Sequence, residues 1–185
     1  MNLPNKLTVL RVILVPFFVF FLLGADWIGS FSPYIALIIF IVASLTDMLD
    51  GKIARKYNLI TNFGKFIDPL ADKLLVAAAI LIFTANGQMG PVAAMLVFAR
   101  EFIVTSIRLV AVNEGVVIAA AMSGKIKTCT QIVAICLMLT PWREIAIGSV
   151  TLNTLAVWAI VIATVWSGVD YIIANRKILM KGMAK

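Results

Sequence analysis

The stretch "TDMLDGKIARKYNLITNFGKFIDPLAD", residues 46–72, decides how this chain is interpreted. It holds four of the nine acidic residues of the chain, arranged as two pairs. Asp47 and Asp50 are separated by three positions, and Asp68 and Asp72 by four. On helices, both spacings place the two carboxylates on one face. A chain with few acids therefore concentrates them in one short region.

The residues around this stretch are those of a membrane protein. Of 185 residues, 62% are hydrophobic and 14% are charged, whereas roughly a quarter of a soluble domain is charged. Leu3, Leu7 and Leu10 share one face and predict a short N-terminal interfacial helix. We expect an all-α polytopic protein, with one domain over residues 1–185 and six transmembrane helices. Six segments approach the roughly 20 residues that cross a bilayer: 8–25, 33–50, 66–86, 91–112, 124–141 and 150–173.

The basic residues predict the orientation of the chain. Most lysines and arginines lie at the start of the chain, in residues 52–65, around Lys125 and in the tail from Arg176. With six spans, these four regions lie on the same side of the membrane. The connections on the opposite side contain only Arg143. Because basic residues are enriched on the cytoplasmic side, we expect a multi-pass protein of the cell membrane with both termini in the cytoplasm. The anionic leaflet accounts for the net charge of +7, and no soluble basic domain is left to bind nucleic acid.

Two explanations fit the four aspartates. Neighbouring basic residues such as Lys52 and Arg55 could neutralise them in a structural salt-bridge network. Alternatively, divalent cations lie among them, because Mg²⁺ and Mn²⁺ favour carboxylate oxygens. Gly51 and Gly64 interleave with the acids, and glycine permits the close approach of a ligand, although small residues also pack membrane helices. Together, the acids, the glycines and Arg55 favour a pocket for metal and phosphate.

The complete pattern resembles the signature of the CDP-alcohol phosphatidyltransferases. In that family a CDP-linked lipid donates its phosphatidyl group to an alcohol, and CMP leaves. The resemblance implies six membrane spans with an active site that faces the cytoplasm, and it also implies a homodimer. The fixed positions of the signature, all filled at the family's spacing, are Asp47, Asp50, Gly51, Ala54, Arg55, Gly64, Asp68 and Asp72.

The resemblance also implies a role for each matching residue. The four aspartates are expected to hold two divalent cations, Mg²⁺ or Mn²⁺, across the pyrophosphate, and Asp72 is also expected to act as the general base. For Arg11, an ordinary anchor at the membrane surface is the alternative. Residues expected to contact the CDP-diacylglycerol donor are Thr8, Arg11, Gly51, Ala54, Arg55, Thr61 and Gly64, with Asn5 beside them.

The alcohol acceptor must be selected by residues outside this signature. In the fourth predicted span, "FAREFIVTSIRLV" (98–110) places Arg100 near the middle of the membrane, where an unpaired arginine is costly and usually marks function. Pairing with Glu101 is the structural alternative. Arg108 follows two turns later, and "SGKIKT" (123–128) adds Lys125 and Lys127. Four cations predict a pocket for an acceptor that is itself a phosphate.

Three short segments narrow the choice of acceptor. "NLPNKLT" (2–8), "REF" (100–102) and "GKIKT" (124–128) are similar to segments of bacterial family members that use sn-glycerol 3-phosphate. This implies in-line attack on CDP-diacylglycerol that gives phosphatidylglycerophosphate and CMP. The alternatives are the same chemistry on inositol phosphate or phosphatidylglycerol and, more remotely, a cation transporter. A transporter should carry acids near the midplane, on broken helices in repeated halves, and the sequence contains no such repeat.

Overall fold

The structure is a computed structural model that describes residues 3–56, 62–113, 115–116, 118–119 and 121–176. Within these ranges, the side chains of residues 3–6, 25–26, 47–56, 62–70 and 72 lie outside the description. The protein is mostly helical, at 83%. Its described part contains a short helix α2 (Ala25–Ile28) and six long helices, which are α1 (Leu3–Leu23), α3 (Ser32–Lys56), α4 (Asn62–Ala85), α5 (Pro91–Asn113), α6 (Met122–Met138) and α7 (Leu152–Ala174).

Each predicted membrane segment coincides with one long helix, but the N-terminus differs from the prediction. The sequence predicted a short interfacial helix followed by a separate span from residue 8. The structure instead has one uninterrupted helix, α1, which begins at Leu3. Pro4 lies in its first turn, where proline is tolerated, and nothing between Lys6 and Leu10 stops a helix. The predicted separate interfacial helix is therefore wrong.

The helices that carry the aspartates are longer than their apolar segments. α3 continues to Lys56 and α4 begins at Asn62, whereas the hydrophobic pattern ended at residue 50 and resumed at 66. Hydropathy marks where apolar residues stop, but a helix continues as long as its residues favour helical backbone, as Ala54 and Arg55 do. Only residues 57–61 separate the two helices, and these lie outside the described part of the chain.

The connection between α6 and α7 departs from the all-α prediction. It contains a 3₁₀ turn (Pro141–Glu144) and an antiparallel hairpin of β1 (Ala146–Ile147) and β2 (Val150–Thr151). Gly148 adopts a φ of 67° in the tight turn between the strands, a conformation that glycine reaches without strain. Strands of two residues leave no alternating pattern, so the sequence analysis did not detect them.

The chain forms two compact units, and the first comprises Met1–Gln88 and Cys136–Arg143. Here α1 packs against both α3 and α4. The rings of Phe18 on α1 and Phe40 on α3 are 5.7 Å apart between centroids, and both side chains are fully buried. At the end of the pair, Ser32 Oγ donates to the carbonyl oxygen of Phe21 at 2.5 Å. These contacts hold α1 against the helix that carries the first aspartate pair.

The second unit comprises Met89–Ile135 and Glu144–Lys185. In this unit α5 packs along α7, around a core of Val104, Ile107 and Tyr171. Two residues that precede α6, Ile118 and Ala121, pack against this core. The ring of Tyr171 is therefore enclosed by apolar side chains from two parts of the unit.

The second unit has polar groups inside and apolar groups outside. Phe102, Leu109 and Ile162 are each more than 60% exposed. Soluble monomers rarely expose large continuous apolar surfaces, whereas helices that face lipid bury their polar side chains toward one another. The distribution fits a membrane environment. The buried polar side chains of this unit are Ser123, Lys127, Gln131, Thr164 and Ser167.

Among the described residues, α7 is the helix long and apolar enough to cross a membrane by length and composition. Shorter apolar helical stretches cover Leu7–Leu23, Ser32–Thr46 and Lys73–Ala85. The first two of these stretches belong to α1 and α3, and the third belongs to α4. The remaining turns of α3 and α4 carry the charged motif.

Candidate active site

The aspartate motif covers the C-terminal half of α3 and the N-terminal half of α4, which are consecutive in the chain. Asp47 and Asp50 lie in the second half of α3, and Asp68 and Asp72 lie in the first half of α4. Because α3 is helical through Lys56, Asp47 shares one helical face with the residues three, four, seven and eight positions later. These residues are Asp50, Gly51, Ala54 and Arg55. The side chains of these aspartates lie outside the described residues. Their convergence on metal ions therefore stays a prediction.

The predicted donor-binding residues divide between three helices. Gly51, Ala54 and Arg55 follow the first aspartate pair on α3, and Gly64 precedes Asp68 by one turn on α4. Thr61 falls in residues 57–61, outside the described part of the chain, and nothing in the structure tests its predicted contact. The remaining predicted residues, at the start of the chain, belong to α1.

Thr8 and Arg11 are buried on α1, and each is only 1% exposed. They are three residues apart and share a face, on a helix whose packing partners are α3 and α4. Burying a guanidinium is costly unless opposite charges or hydrogen bonds compensate it. An ordinary anchor would extend its charge to the membrane surface, which is the opposite of what Arg11 does. The burial of Arg11 therefore favours a binding role over a surface anchor.

In the second unit, Glu101 joins two of the predicted acceptor-binding cations. Its Oε1 atom accepts a hydrogen bond from Arg100 Nη1 at 3.0 Å and another from Lys127 Nζ at 2.6 Å. The pairing of Arg100 with Glu101, which was the structural alternative for this arginine, is thus present, and its predicted contact with the acceptor stays a prediction. The side chain of Lys127 is only 5% exposed, and these three residues together carry one net positive charge.

The other two predicted acceptor-binding cations have different surroundings. Arg108 is exposed, and its Nε donates to the hydroxyl oxygen of Tyr171 at 3.2 Å. Its Cζ atom lies 5.8 Å from the centroid of the same ring. Lys125 is exposed on the first turn of α6. The structure thus separates the four cations into a clustered pair, Arg100 and Lys127, and an accessible pair.

Helix α7 supplies polar contacts that the sequence analysis missed. Ser167 Oγ accepts a hydrogen bond from Arg100 Nη2 at 2.6 Å, and Asp170 Oδ2 accepts one from Ser123 Oγ at 2.5 Å. In the segment "SGVDY" (167–171) of this mostly apolar helix, Asp170 follows Ser167 by three positions and Tyr171 follows Asp170 directly. That spacing places them on neighbouring positions of the helix surface. It is the signal that could have identified them.

Comparisons with known proteins give the family. The model of the CDP-alcohol phosphatidyltransferase family matches residues 1–166. A protein of Bacillus subtilis (strain 168), named CDP-diacylglycerol–glycerol-3-phosphate 3-phosphatidyltransferase, is 44% identical over 96% of this chain and 97% of its own length.

Proteins of the same name from other bacteria are also similar to this chain. One from Shigella flexneri serotype 5b is 39% identical, and one from Escherichia coli (strain K12) is 38% identical. Both alignments cover 97% of this chain and 97% of the relative. The chain belongs to the CDP-alcohol phosphatidyltransferases, a family of membrane enzymes that generally depend on divalent metal ions.

Proposed function

We propose that the chain is a phosphatidylglycerophosphate synthase, which transfers the phosphatidyl group of CDP-diacylglycerol to sn-glycerol 3-phosphate and releases CMP. The observation that carries this proposal is the 44% identity to a relative named for that activity, over 96% of the chain. Two further relatives with the same name align over nearly their full lengths. The proposal takes residues 1–185 as one domain, which is supported by a family match that begins in the first unit and reaches the second.

The four aspartates are the proposed ligands of two divalent cations, Mg²⁺ or Mn²⁺. Four carboxylates on two consecutive helices form a donor set that suits these hard cations. The cations, when bound, neutralise charge that builds on the attacking and leaving oxygens. Asp72 is the proposed general base and removes the proton from the acceptor hydroxyl as it attacks. Asp72 is then shared between metal binding and proton transfer, so the cluster titrates as a unit.

The CDP part of the donor is the proposed ligand of α1, α3 and α4. A guanidinium such as that of Arg55 can bond a phosphate oxygen pair in a bidentate manner. Two observations support this part of the proposal. Thr8 and Arg11 are buried on the helix that packs against both motif helices, and α3 remains helical beyond Arg55. The proposed donor-binding set is Thr8, Arg11, Gly51, Ala54, Arg55, Thr61 and Gly64.

The phosphate of glycerol 3-phosphate is the proposed ligand of Arg100, Arg108, Lys125 and Lys127. Two observations support this assignment: Glu101 brings Arg100 and Lys127 together, and Arg108 and Lys125 are exposed. A dianionic phosphate complements these charges better than a neutral sugar would. Substitution of Arg108 by alanine should raise the KM for glycerol 3-phosphate more than the KM for the lipid donor.

The proposed enzyme is a homodimer in the cell membrane. Its six long helices cross the bilayer, and both termini and the active site face the cytoplasm. The apolar outer surface of the second unit supports the membrane location, and the alternation of basic connections supports the orientation. Chemical crosslinking of the solubilised protein tests the homodimer.

The decisive experiment is CMP release by purified protein in detergent, with CDP-diacylglycerol and either Mg²⁺ or Mn²⁺. Parallel reactions contain glycerol 3-phosphate, inositol phosphate, phosphatidylglycerol or no acceptor. We expect release that requires both metal and glycerol 3-phosphate and that stops when a chelator is added. Release with another acceptor would retain the aspartate chemistry and replace the acceptor. If folded protein released no CMP with any acceptor, the proposal would be contradicted and the alternative of a cation transporter would be favoured.

A further inference from the structure

Little more than one turn of α7 carries small and hydroxyl-bearing residues that contact the arginines of α5. Ser167, Gly168 and Tyr171 belong to none of the motifs that the sequence analysis identified. Each nevertheless faces an arginine of the proposed acceptor site: Ser167 and Gly168 face Arg100, and Tyr171 faces Arg108. The two arginines are eight residues apart on α5, and the two hydroxyls are four apart on α7.

The phenol of Tyr171 is buried among apolar side chains, and its oxygen contacts Arg108. The residue is 2% exposed and packs with Val104 and Ile107. Its hydroxyl accepts the Nε–H of Arg108 at 3.2 Å. A guanidinium presents its five donors in a fixed planar fork. A bond to Nε therefore fixes the plane of Arg108 while leaving its two Nη groups to form the bidentate contact that phosphates accept.

Arg100 is oriented in a comparable way. Ser167, which is fully buried, accepts from Nη2 at 2.6 Å, while Glu101 accepts from Nη1 at 3.0 Å. Gly168 lets α7 approach the side chain, because a Cβ atom at this position would lie 3.3 Å from Arg100 Cγ. On α6, a Cβ atom at Gly124 would lie 3.5 Å from Arg100 Nη2. The arginine is thus confined from two helices.

We propose that Ser167 and Tyr171 are positioning residues, whose hydroxyls orient Arg100 and Arg108 for the phosphate of the acceptor. This inference rests on the proposed function and deepens it, because it assigns acceptor recognition partly to the last helix. Neither hydroxyl touches the substrate. Their effect is to limit the number of arginine rotamers, so that less conformational entropy is lost when the phosphate binds.

A simpler explanation is that each buried hydroxyl only satisfies its own need for a hydrogen bond. In that case its removal would lower stability and would affect both substrates equally. The positioning role makes a different prediction, because it acts on one substrate and only through the arginine. Steady-state kinetics with each substrate varied in turn separates the two explanations.

The test compares Tyr171→Phe with wild type and with Tyr34→Phe as the matched control. Tyr34 is an exposed residue near the start of α3, so loss of its hydroxyl should change nothing. We expect Tyr171→Phe to raise the KM for glycerol 3-phosphate about 3- to 10-fold, with the KM for CDP-diacylglycerol nearly unchanged. Inorganic phosphate should also become a weaker competitive inhibitor against the acceptor.

A double-mutant cycle completes the test. In an Arg108→Ala background, adding Tyr171→Phe should have no further effect on the acceptor KM, because the group that the hydroxyl orients is gone. An undiminished effect in that background would overturn the inference, and so would an equal rise for both substrates or no rise at all. Ser167→Ala provides a second variant with the same expected selectivity, in case Tyr171→Phe does not fold.

Failure of this inference is distinguishable from failure of the proposed function. If wild type releases CMP with glycerol 3-phosphate and Arg108→Ala raises only the acceptor KM, the acceptor site is assigned correctly. A normal acceptor KM in folded Tyr171→Phe and Ser167→Ala would then overturn the positioning role alone. A wild-type enzyme that ignores glycerol 3-phosphate would instead overturn the proposed function.

Discussion

Asp72 combines two proposed tasks in one carboxylate. It lies on α4 four residues after Asp68, so the two share a helical face. A metal-bound carboxylate that also accepts a proton must leave one oxygen accessible to the acceptor hydroxyl. Replacement of the charged group by an amide of nearly equal size removes the basic oxygen and keeps the shape of the side chain.

We therefore expect Asp72→Asn to lower turnover by about 10³-fold or more, as the loss of a general base does. The variant should remain folded and should still bind the nucleotide. CMP release measures turnover, calorimetry with CMP measures nucleotide binding, and thermal unfolding reports the fold. Asp26→Asn, an equivalent change outside the motif, is the control and should be active. Retained activity in Asp72→Asn would remove this residue as the base.

Individual residues also show what the sequence could predict of the site. The pairing of Arg100 with Glu101 was foreseeable because the two are adjacent in the chain. The contact between Arg100 and Ser167 joins residues 67 positions apart, and although the polar spacing in "SGVDY" could have identified Ser167, no local pattern shows that its partner is Arg100. Serine is moreover common where membrane helices pack against one another. Charge identified the cations of the proposed acceptor site, whereas the contacts that neutral groups make with them required the structure.

At the scale of elements, the contact between α5 and α7 depends on a glycine. A Cβ atom at Gly168 would lie 3.3 Å from Arg100 Cγ, closer than most side chains tolerate. The arginine has little freedom to yield, because Glu101 and Ser167 hold its guanidinium. Small residues at such positions let membrane helices approach each other closely.

Gly168→Ala should consequently destabilise the protein by roughly 1 kcal/mol relative to Gly124→Ala, the cost of modest overpacking. The second variant is the matched control, since its Cβ atom would meet the same arginine at an ordinary 3.5 Å. Both glycines lie in helices, so alanine favours the helical backbone at both positions. Thermal unfolding in detergent measures the difference. Equal melting temperatures would mean that the helices separate without cost at this point.

The helices themselves were the most predictable part of the fold. Each of the six apolar segments became a long helix, because apolar stretches of this length have few other stable states in a membrane. Their ends were less predictable, as the extension of α3 to Lys56 shows. The hairpin after α6 escaped detection because its register depends on a single turn at Gly148.

At the scale of the whole molecule, the topology remains the largest prediction from sequence. It rests on the alternation of basic connections. The turn at Pro141–Glu144 contains Arg143 and lies between the fifth and sixth predicted spans. The connection at residues 57–61 lies between the second and third. The prediction places these two connections on opposite sides of the membrane.

Labelling of single cysteines tests this arrangement. Cys129 and Cys136 are free thiols, and both must first be replaced by serine. A membrane-impermeant maleimide should then label Trp142→Cys in intact spheroplasts, since Trp142 is 66% exposed. Asn58→Cys should be labelled only after lysis. The parent without cysteines controls for background, and the reverse pattern would invert the proposed orientation.

In the proposed enzyme, the length of α3 determines where the reaction takes place. Its 25 residues span about 37 Å at 1.5 Å per residue, whereas the hydrocarbon core is about 30 Å thick. The apolar part ends at Thr46, so a headgroup bound near Arg55 can meet a water-soluble reactant while its acyl chains remain in the bilayer. The effective donor concentration is then a mole fraction within a surface. Inert lipid added at constant bulk donor should slow turnover, just as dilution slows a reaction in solution.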